Sequence, residues 1–273
     1  MCARNVADSF LAQCLERAIG ACCILIFCQA VASGSPPLEH EGSGYALAGL
    51  LAGTGIALPY LFVEDGALAC GTCDPNDIPS FDRWASGSYG ADANALSDSA
   101  LAFSLGVPVA SLSAQLPGQD TRREALVLAQ SFSATFFATQ IIKVATQRAR
   151  PFTYSSTLKE GAPSRSSRDA RMSFPSGHTS MAFAGLVTTA ALRTSHGPMI
   201  EKATWYGCAM ALGGLTGALR IAAGKHYWTD VAAGAVLGTG IGLLVPWLHQ
   251  ASGRSHQDLQ SIQMPLVSFG GSL

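Results

Sequence analysis

The chain has 273 residues, of which 48% are hydrophobic and only 13% are charged, and its formal net charge is −1. Soluble domains carry about 25% charged residues, so this composition is unusual for a soluble protein. The near-zero net charge gives no indication of a nucleic-acid partner. Because long apolar runs alternate with short polar loops, the sequence predicts an all-α, polytopic membrane bundle whose partners include membrane lipids.

The first 32 residues have the layout of a signal peptide. Polar residues 1–17 precede an apolar run at 18–27, and Ala30-Val31-Ala32 has the small-x-small pattern of a cleavage site. The apolar run is shorter than the about 20 residues of a membrane span, although an uncleaved anchor is the alternative. Cleavage after Ala32 would remove five of the eight cysteines, which are Cys2, Cys14, Cys22, Cys23 and Cys28.

Three further regions follow the predicted signal peptide. Residues 33–97 hold a Pro/Gly/Ser linker, a first apolar helix and a loop with a Cys-x-x-Cys motif; residues 98–250 hold the remaining helices, and residues 251–273 form a polar tail. Length and apolarity predict six helices in all. They are Gly44–Val63, Ser99–Leu116, Ala125–Val144, Thr179–Leu192, Ala203–Arg220 and Val231–His249.

The loop between the first two predicted helices contains Cys70-Gly-Thr-Cys73. Two cysteines supply half of a zinc site at most, and no second pair with ligand spacing follows. In a loop exported to an oxidising compartment, a local disulfide between Cys70 and Cys73 is the simpler interpretation. We therefore expect a disulfide and no metal site.

The first polar motif is KVATQRARP, from Lys143 to Pro151. Seven residues separate Lys143 from Arg150, so both cations lie on one helical face if the helix continues, and Pro151 then ends it. Arg148 is offset from that face and is predicted to point to solvent or headgroups. The alternative is that these cations simply reach for headgroups at a helix end.

The second motif is PSGH, which opens the fourth predicted helix. Ser176 is a candidate N-cap, and Gly177 allows the backbone to approach a ligand closely. The free N–H groups and the dipole of a helix N-terminus favour an anion there. His178 would then be placed to donate a proton to a leaving oxygen, unless it is only a surface histidine beside a capped helix.

The third motif is RIAAGKHYWTD, with Arg220, His226 and Asp230. If the sixth helix has begun at His226, the i, i+4 spacing lets the carboxylate of Asp230 accept a hydrogen bond from the imidazole. That bond would fix the tautomer and leave the other ring nitrogen free to attack. The alternative is an aspartate at a helix N-terminus with an interfacial histidine nearby.

Together these three motifs resemble those of the type 2 phosphatidic acid phosphatase superfamily, which includes lipid phosphatases, bacterial class A acid phosphatases and vanadium haloperoxidases. The resemblance covers about residues 143–230, and the surrounding apolar helices match the membrane branch. Leu219 departs from the pattern, because the family usually has serine before this arginine. That change removes one hydroxyl from the phosphate pocket.

The resemblance implies a role for each motif residue. Phosphate oxygens would be bound by the side chains or backbone of Lys143, Arg150, Ser176, Gly177 and Arg220. His226 would attack phosphorus to form a phosphohistidine, and Asp230 would orient it. His178 would protonate the leaving alcohol and then activate water. The family works without metal, so no cofactor is expected.

The resemblance thus predicts a phosphatase acting on a lipid phosphate or a polyprenyl diphosphate, with its site at one membrane face. Three alternatives remain open: a vanadium-dependent haloperoxidase, which would bind vanadate in the same pocket; a soluble periplasmic acid phosphatase; and a transport or scaffold protein with a vestigial site.

The orientation of the chain in the membrane is less simple to predict. A cleaved signal peptide leaves Ser33 outside, and six full spans would then put the site inside. We expect the site on the periplasmic side of a bacterial inner membrane, which requires an uncleaved anchor or one helix that does not cross. Gly44–Val63, interrupted by Gly53, Gly55 and Pro59, is the candidate for that helix.

Overall fold

Six α-helices make up most of the chain in the computed structural model, which describes residues 41–66, 68–71, 73–155, 162–195 and 197–262. The helices are α1 (Glu41–Phe62), α2 (Ala91–Ser113), α3 (Gln119–Thr146), α4 (Gly177–Arg193), α5 (Met199–Ala222) and α6 (Trp228–Ile262). Those described ranges contain no strand, so the predicted all-α class and the six helices are confirmed. The predicted signal peptide lies outside the described residues.

Four of these helices are long and apolar enough to cross a membrane: α1, α2, α3 and the first part of α6. The range Gly42–Phe62 in α1 is among them, although its glycines and proline had made it the candidate for incomplete crossing. Large apolar side chains on these helices point outward; Ile56, Phe103 and Val236 are each more than half exposed. Such a surface is stable in lipid, so the chain is a membrane protein.

Helix α4 lies at the centre of the bundle. It packs against α2, α3 and α5, and a continuous run of its residues from Ala182 to Ala190 is buried. Helix α1 packs outside α3, where a Cβ at Gly55 would lie 2.9 Å from the ring of Phe136. These contacts belong to residues Gly42–Pro246, which form one compact unit and contain the whole candidate site.

Glycines at every fourth position of α6 bring this helix against the backbone of α4. A Cβ at Gly234 would lie 2.7 Å from the carbonyl oxygen of Ser176, and one at Gly242 would lie 3.0 Å from that of Ala184. Small residues at this spacing let two helices approach closely in a bilayer. The spacing therefore positions the start of α6 beside the N-terminus of α4, where two of the motifs meet.

Gly238, in the middle of this glycine row, provides a test of the packing. A Cβ there would collide with the carbonyl group of Ser180, whereas Gly240 has open space around it. Gly238→Ala is expected to cost about 2 kcal/mol, which lowers the melting temperature by about 4–8 °C. Gly240→Ala is the matched control and should leave the melting temperature nearly unchanged. Equal melting temperatures for the two purified variants would contradict this packing.

The loops at one end of the bundle lie against one another. Cys70 and Cys73 are joined by a disulfide in the loop between α1 and α2. The same loop reaches Gly224, whose φ of +67° and close approach to the carbonyl of Ser88 exclude a side chain. The chain after α3 continues into the short helix Pro151–Tyr154, so three connecting segments converge where the motifs lie.

Candidate active site

The helix that contains Lys143 does not continue to Arg150. Gln147 takes a left-handed conformation (φ 40°), its N–H donates to the carbonyl of Lys143 at 2.9 Å, and α3 ends at Thr146. Arg150 is extended (φ −75°, ψ 154°) before Pro151. The prediction that Lys143 and Arg150 share one helical face is therefore wrong, and loop folding brings Arg150 to the site.

Arg150 is the cation in direct contact with the candidate nucleophile. Its Nη1 lies 3.0 Å from Nε2 of His226 and donates to the carbonyl of Lys225 at 2.8 Å. Its Nη2 and Nε donate to the carboxylate and the carbonyl oxygen of Asp169, at 2.6 and 2.8 Å. Because Arg150 is only 3% exposed, these contacts hold its guanidinium in one position.

The hydrogen bonds of His226 define its tautomer. Nδ1 lies 2.6 Å from the carbonyl oxygen of Ser173, which can only accept, so Nδ1 carries the proton. Nε2 then has a free lone pair, and this lone pair faces the guanidinium of Arg150. A neutral imidazole with an available lone pair is the form required for nucleophilic attack.

Asp230 supports His226 in a different way from the one expected. Its Oδ2 is 3.6 Å from Nδ1 of His226, because α6 begins at Trp228, after the histidine. The carboxylate instead accepts hydrogen bonds from Oγ of Ser173 at 2.5 Å and from the backbone N–H of Tyr227 at 2.8 Å. It therefore holds the two segments on either side of the imidazole.

The electrostatic surroundings keep His226 uncharged. Burial lowers the pKa of His226 well below its usual value, and the positive charges of Arg150, Arg220 and Lys143 lower it further. Lys143 and Arg150 come from the first motif and Arg220 comes from the third, so the folded chain brings cations from two separate motifs close to one histidine.

Arg148 does not face solvent or headgroups, and that prediction is wrong. Its guanidinium donates to Asp230 at 2.6 Å and to Asp82 at 2.7 Å, and it lies 4.1 Å from the ring centroid of Tyr227. Both carboxylates are buried. The prediction assumed a helical wheel, which no longer applies after the turn at Gln147.

The second motif forms the start of α4. Ser176 caps α4 as predicted, and its buried Oγ accepts hydrogen bonds from the backbone N–H of Thr179 at 3.4 Å and from its hydroxyl at 2.9 Å. A Cβ at Gly177 would lie 3.7 Å from Nζ of Lys143. The buried ammonium therefore sits beside the positive end of α4, where a phosphate would be favoured.

His178 and Arg220 both reach polar residues of α2 that the sequence analysis did not identify. Nε2 of His178 lies 2.8 Å from Oδ1 of Asp98. Nη1 of Arg220 donates to Asn94 at 3.1 Å and to Ser97 at 3.0 Å, and lies 3.5 Å from Asp98. These three α2 residues have i, i+3, i+4 spacing, which places them on one face of the helix, and that spacing is the signal by which they could have been found.

Lys225 and Asp169 are two further charged residues at the site. Nζ of Lys225 lies 3.8 Å from Oδ2 of Asp169 and 5.2 Å from the ring centroid of Phe152. Burial and the charge of Arg150 lower the pKa of Lys225 to about 8. Burial opposes ionisation of Asp169, but the charges of Arg150, Lys143 and Lys225 hold its pKa well below the usual range.

The residues of the three motifs thus form a cationic pocket beside a neutral histidine, at one end of a helical membrane bundle. Within the described part of the chain, no group of three or more His, Cys, Asp or Glu side chains is arranged to hold a metal ion. A fold and site of this kind could hold a multiply charged oxyanion next to the imidazole of His226.

The comparisons with known proteins agree with this description. The family model described as PAP2 superfamily matches residues 124–254, which are just under half of the chain and include all three motifs. A PA-phosphatase related-family protein of Dictyostelium discoideum is 31% identical over 137 residues, which are 48% of this chain and 50% of that relative. The chain thus spans about half the length of this curated relative. No solved structure matches the chain significantly.

Proposed function

We propose that the protein is a metal-independent phosphatase that hydrolyses a lipid phosphate or polyprenyl diphosphate through a phosphohistidine. The observation that carries this proposal is the buried, neutral His226, whose free Nε2 faces Arg150 within a ring of cations. These fixed charges supply the stabilisation of phosphate oxygens that a metal ion supplies in other phosphatases. The four long apolar helices favour an enzyme that acts on a membrane lipid over the alternative of a soluble acid phosphatase.

The reaction would take place in two steps at phosphorus. Nε2 of His226 attacks phosphorus as the bond to the leaving oxygen breaks, and His178 donates a proton to that oxygen. His178 then takes a proton from water, whose oxygen attacks the phosphohistidine; the P–N bond breaks and inorganic phosphate is released. Asp98, at 2.8 Å from Nε2 of His178, would hold this imidazole in position through both proton transfers.

The proposed activity can be tested with detergent-purified protein in the presence of EDTA. Phosphate release from phosphatidate, phosphatidylglycerol phosphate and a polyprenyl diphosphate is expected to continue without divalent metal. If EDTA abolishes release and added Mg²⁺ restores it, the metal-independent mechanism is wrong.

We also propose that the site lies on the membrane face exposed to an oxidising compartment, the periplasmic face in a bacterial inner membrane. The loop that contains the Cys70–Cys73 disulfide also supplies Asp82, which bonds Arg148 next to the site. Disulfides persist in oxidising compartments. In a background where Cys208 and the five cysteines of residues 1–32 are replaced by serine, Ser80→Cys in this loop should react with a membrane-impermeant maleimide in intact cells. Reaction only after lysis would place the site on the cytoplasmic face.

Lys225 is expected to make phosphate binding depend on pH. With a pKa of about 8, its ammonium is charged below that pH and neutral above it, so kcat/KM should fall as the pH rises through about 8. Lys225→Arg keeps its positive charge at all these pH values, so its kcat/KM should begin to fall only at a higher pH. The measurement is kcat/KM between pH 6 and 10 for both proteins. Superimposable profiles would show that Lys225 does not contact the phosphate.

A further inference from the structure

Three aromatic side chains are exposed at the end of the bundle that carries the candidate active site. Phe81 and Trp84, in the loop between α1 and α2, are 56% and 66% exposed, and Trp228, the first residue of α6, is 43% exposed. The rings of Phe81 and Trp228 meet edge to face, with their centroids 6.2 Å apart. These three side chains are called the aromatic patch below. Exposed apolar groups that lie together mark a surface that binds a protein or a membrane.

The loop that carries two of these rings is bonded firmly to the start of α6. The indole N–H of Trp228 donates to the carbonyl oxygen of Phe81 at 2.9 Å, and the hydroxyl of Thr229 donates to the carboxylate of Asp82 at 2.6 Å. In the same loop Ala85 is only 3% exposed and belongs to an apolar cluster. The aromatic patch is therefore exposed on a well-packed part of the fold.

The aromatic patch lies where three candidate membrane spans end. The loop follows the span Gly42–Phe62 and precedes the span Ala91–Ser113, and Trp228 is the first residue of the span Trp228–Gln250. Tryptophan and tyrosine concentrate at the boundary between hydrocarbon and headgroups, because their rings are apolar and also carry a polar group. The patch is thus continuous, through Trp228, with a helix that crosses the bilayer, and its chemistry fits the boundary of that bilayer.

We propose that the aromatic patch is seated in the headgroup region of the bilayer, where it fixes the depth of the loops around the active site. Asp82, which lies between the two loop rings in the sequence, accepts a hydrogen bond from Arg148 at 2.7 Å. Arg148 in turn donates to Asp230 at 2.6 Å. An anchored loop would hold this buried network, and His226 beside it, at the level of the lipid headgroups. Seating of the patch requires no phosphatase activity and is tested without it.

Tryptophan fluorescence in vesicles measures the depth of the aromatic patch. The chain has four tryptophans, which are Trp84, Trp205, Trp228 and Trp247. Two single-tryptophan proteins retain Trp84 or Trp228 and have phenylalanine at the other three positions. Each is placed in phosphatidylcholine vesicles that contain lipids brominated either just below the headgroup or deep in the acyl chain. Shallow bromine should quench both tryptophans at least about twofold more strongly than deep bromine.

Leu50→Trp in a tryptophan-free background is the matched control for depth. Leu50 is 61% exposed and lies near the middle of the span Gly42–Phe62, so deep bromine should be the better quencher there. N-acetyltryptophanamide in the same vesicles gives the quenching of a free indole by aqueous iodide. The melting temperature of each single-tryptophan protein shows whether it keeps the fold of the unmodified chain.

A second pair of variants tests whether Trp84 anchors the loop. In the protein that retains Trp228, position 84 carries either Trp84→Phe, which keeps an apolar ring, or Trp84→Asp, which adds a charge. Trp84→Asp should lower the quenching of Trp228 by shallow bromine about twofold relative to Trp84→Phe, because a carboxylate is drawn toward water. Equal quenching in the two proteins would overturn the anchoring role.

Three results of the depth measurement would overturn the proposal. Iodide might quench Trp84 and Trp228 as strongly as the free indole, which would place the aromatic patch in water. Deep bromine might quench them as it quenches Leu50→Trp, which would place them in the hydrocarbon core. Weak quenching by iodide and by both brominated lipids would show that protein, such as a second copy of this chain, covers the patch.

Discussion

Replacing His226 by alanine is expected to lower the rate of phosphate release by at least about 10³-fold, because it removes the attacking nitrogen beside Arg150. The reason is geometric: Nδ1 is protonated against the carbonyl of Ser173, which leaves Nε2 as the attacking atom. The measurement is phosphate release from the best lipid substrate, with the melting temperature of the variant as the control for folding. Release within about tenfold of the unmodified rate would contradict the proposed nucleophile.

His178→Ala is the matched variant that distinguishes the proposed roles of the two histidines, His226 as nucleophile and His178 as general acid and base. With para-nitrophenyl phosphate, whose leaving group needs little protonation, this variant should still form the phosphohistidine but hydrolyse it slowly, because no base activates the water. Samples made with ³²P-labelled ester and quenched in alkaline SDS, in which a phosphohistidine is stable, should therefore carry label on His178→Ala and none on His226→Ala. Label on the His226→Ala protein would assign the nucleophile to another residue.

Arg148→Met is expected to destabilise the protein by about 3–5 kcal/mol and to lower its melting temperature by about 10 °C. The change leaves the buried carboxylates of Asp82 and Asp230 without their shared cation. Methionine retains much of the length of the side chain over Tyr227, so the main loss is that of charge. Because Asp230 holds the segments around His226, phosphate release should fall as well.

Two control variants make this second result specific. Arg122→Met removes a cation from an exposed position near the start of α3 and should leave the melting temperature within about 1–2 °C. Arg148→Lys keeps the charge but cannot donate to both carboxylates in the same fork geometry. Its melting temperature should therefore lie between those of Arg148→Met and Arg122→Met. If Arg148→Met melts like Arg122→Met, the buried network does not stabilise the fold.

Features that depend on local pattern can be predicted from the sequence. The length and apolarity of its segments predict six helices, because a segment in lipid must satisfy its backbone polar groups internally. Ser176 is predictable as a cap, since a hydroxyl before an apolar helix accepts a bond from a free backbone N–H. The three motifs indicate the PAP2 superfamily because their order and spacing are specific.

Which side chains meet inside the site depends on the tertiary fold. The turn at Gln147 ends α3 before Arg148 and Arg150, so helical spacing could not predict that Arg150 reaches His226 or that Arg148 contacts buried carboxylates. Asp98 and Asp169 lie far along the chain from the residues they contact, His178 and Arg150. Contacts of this kind depend on how loops and separate helices pack, and periodicity within one segment carries no information about them.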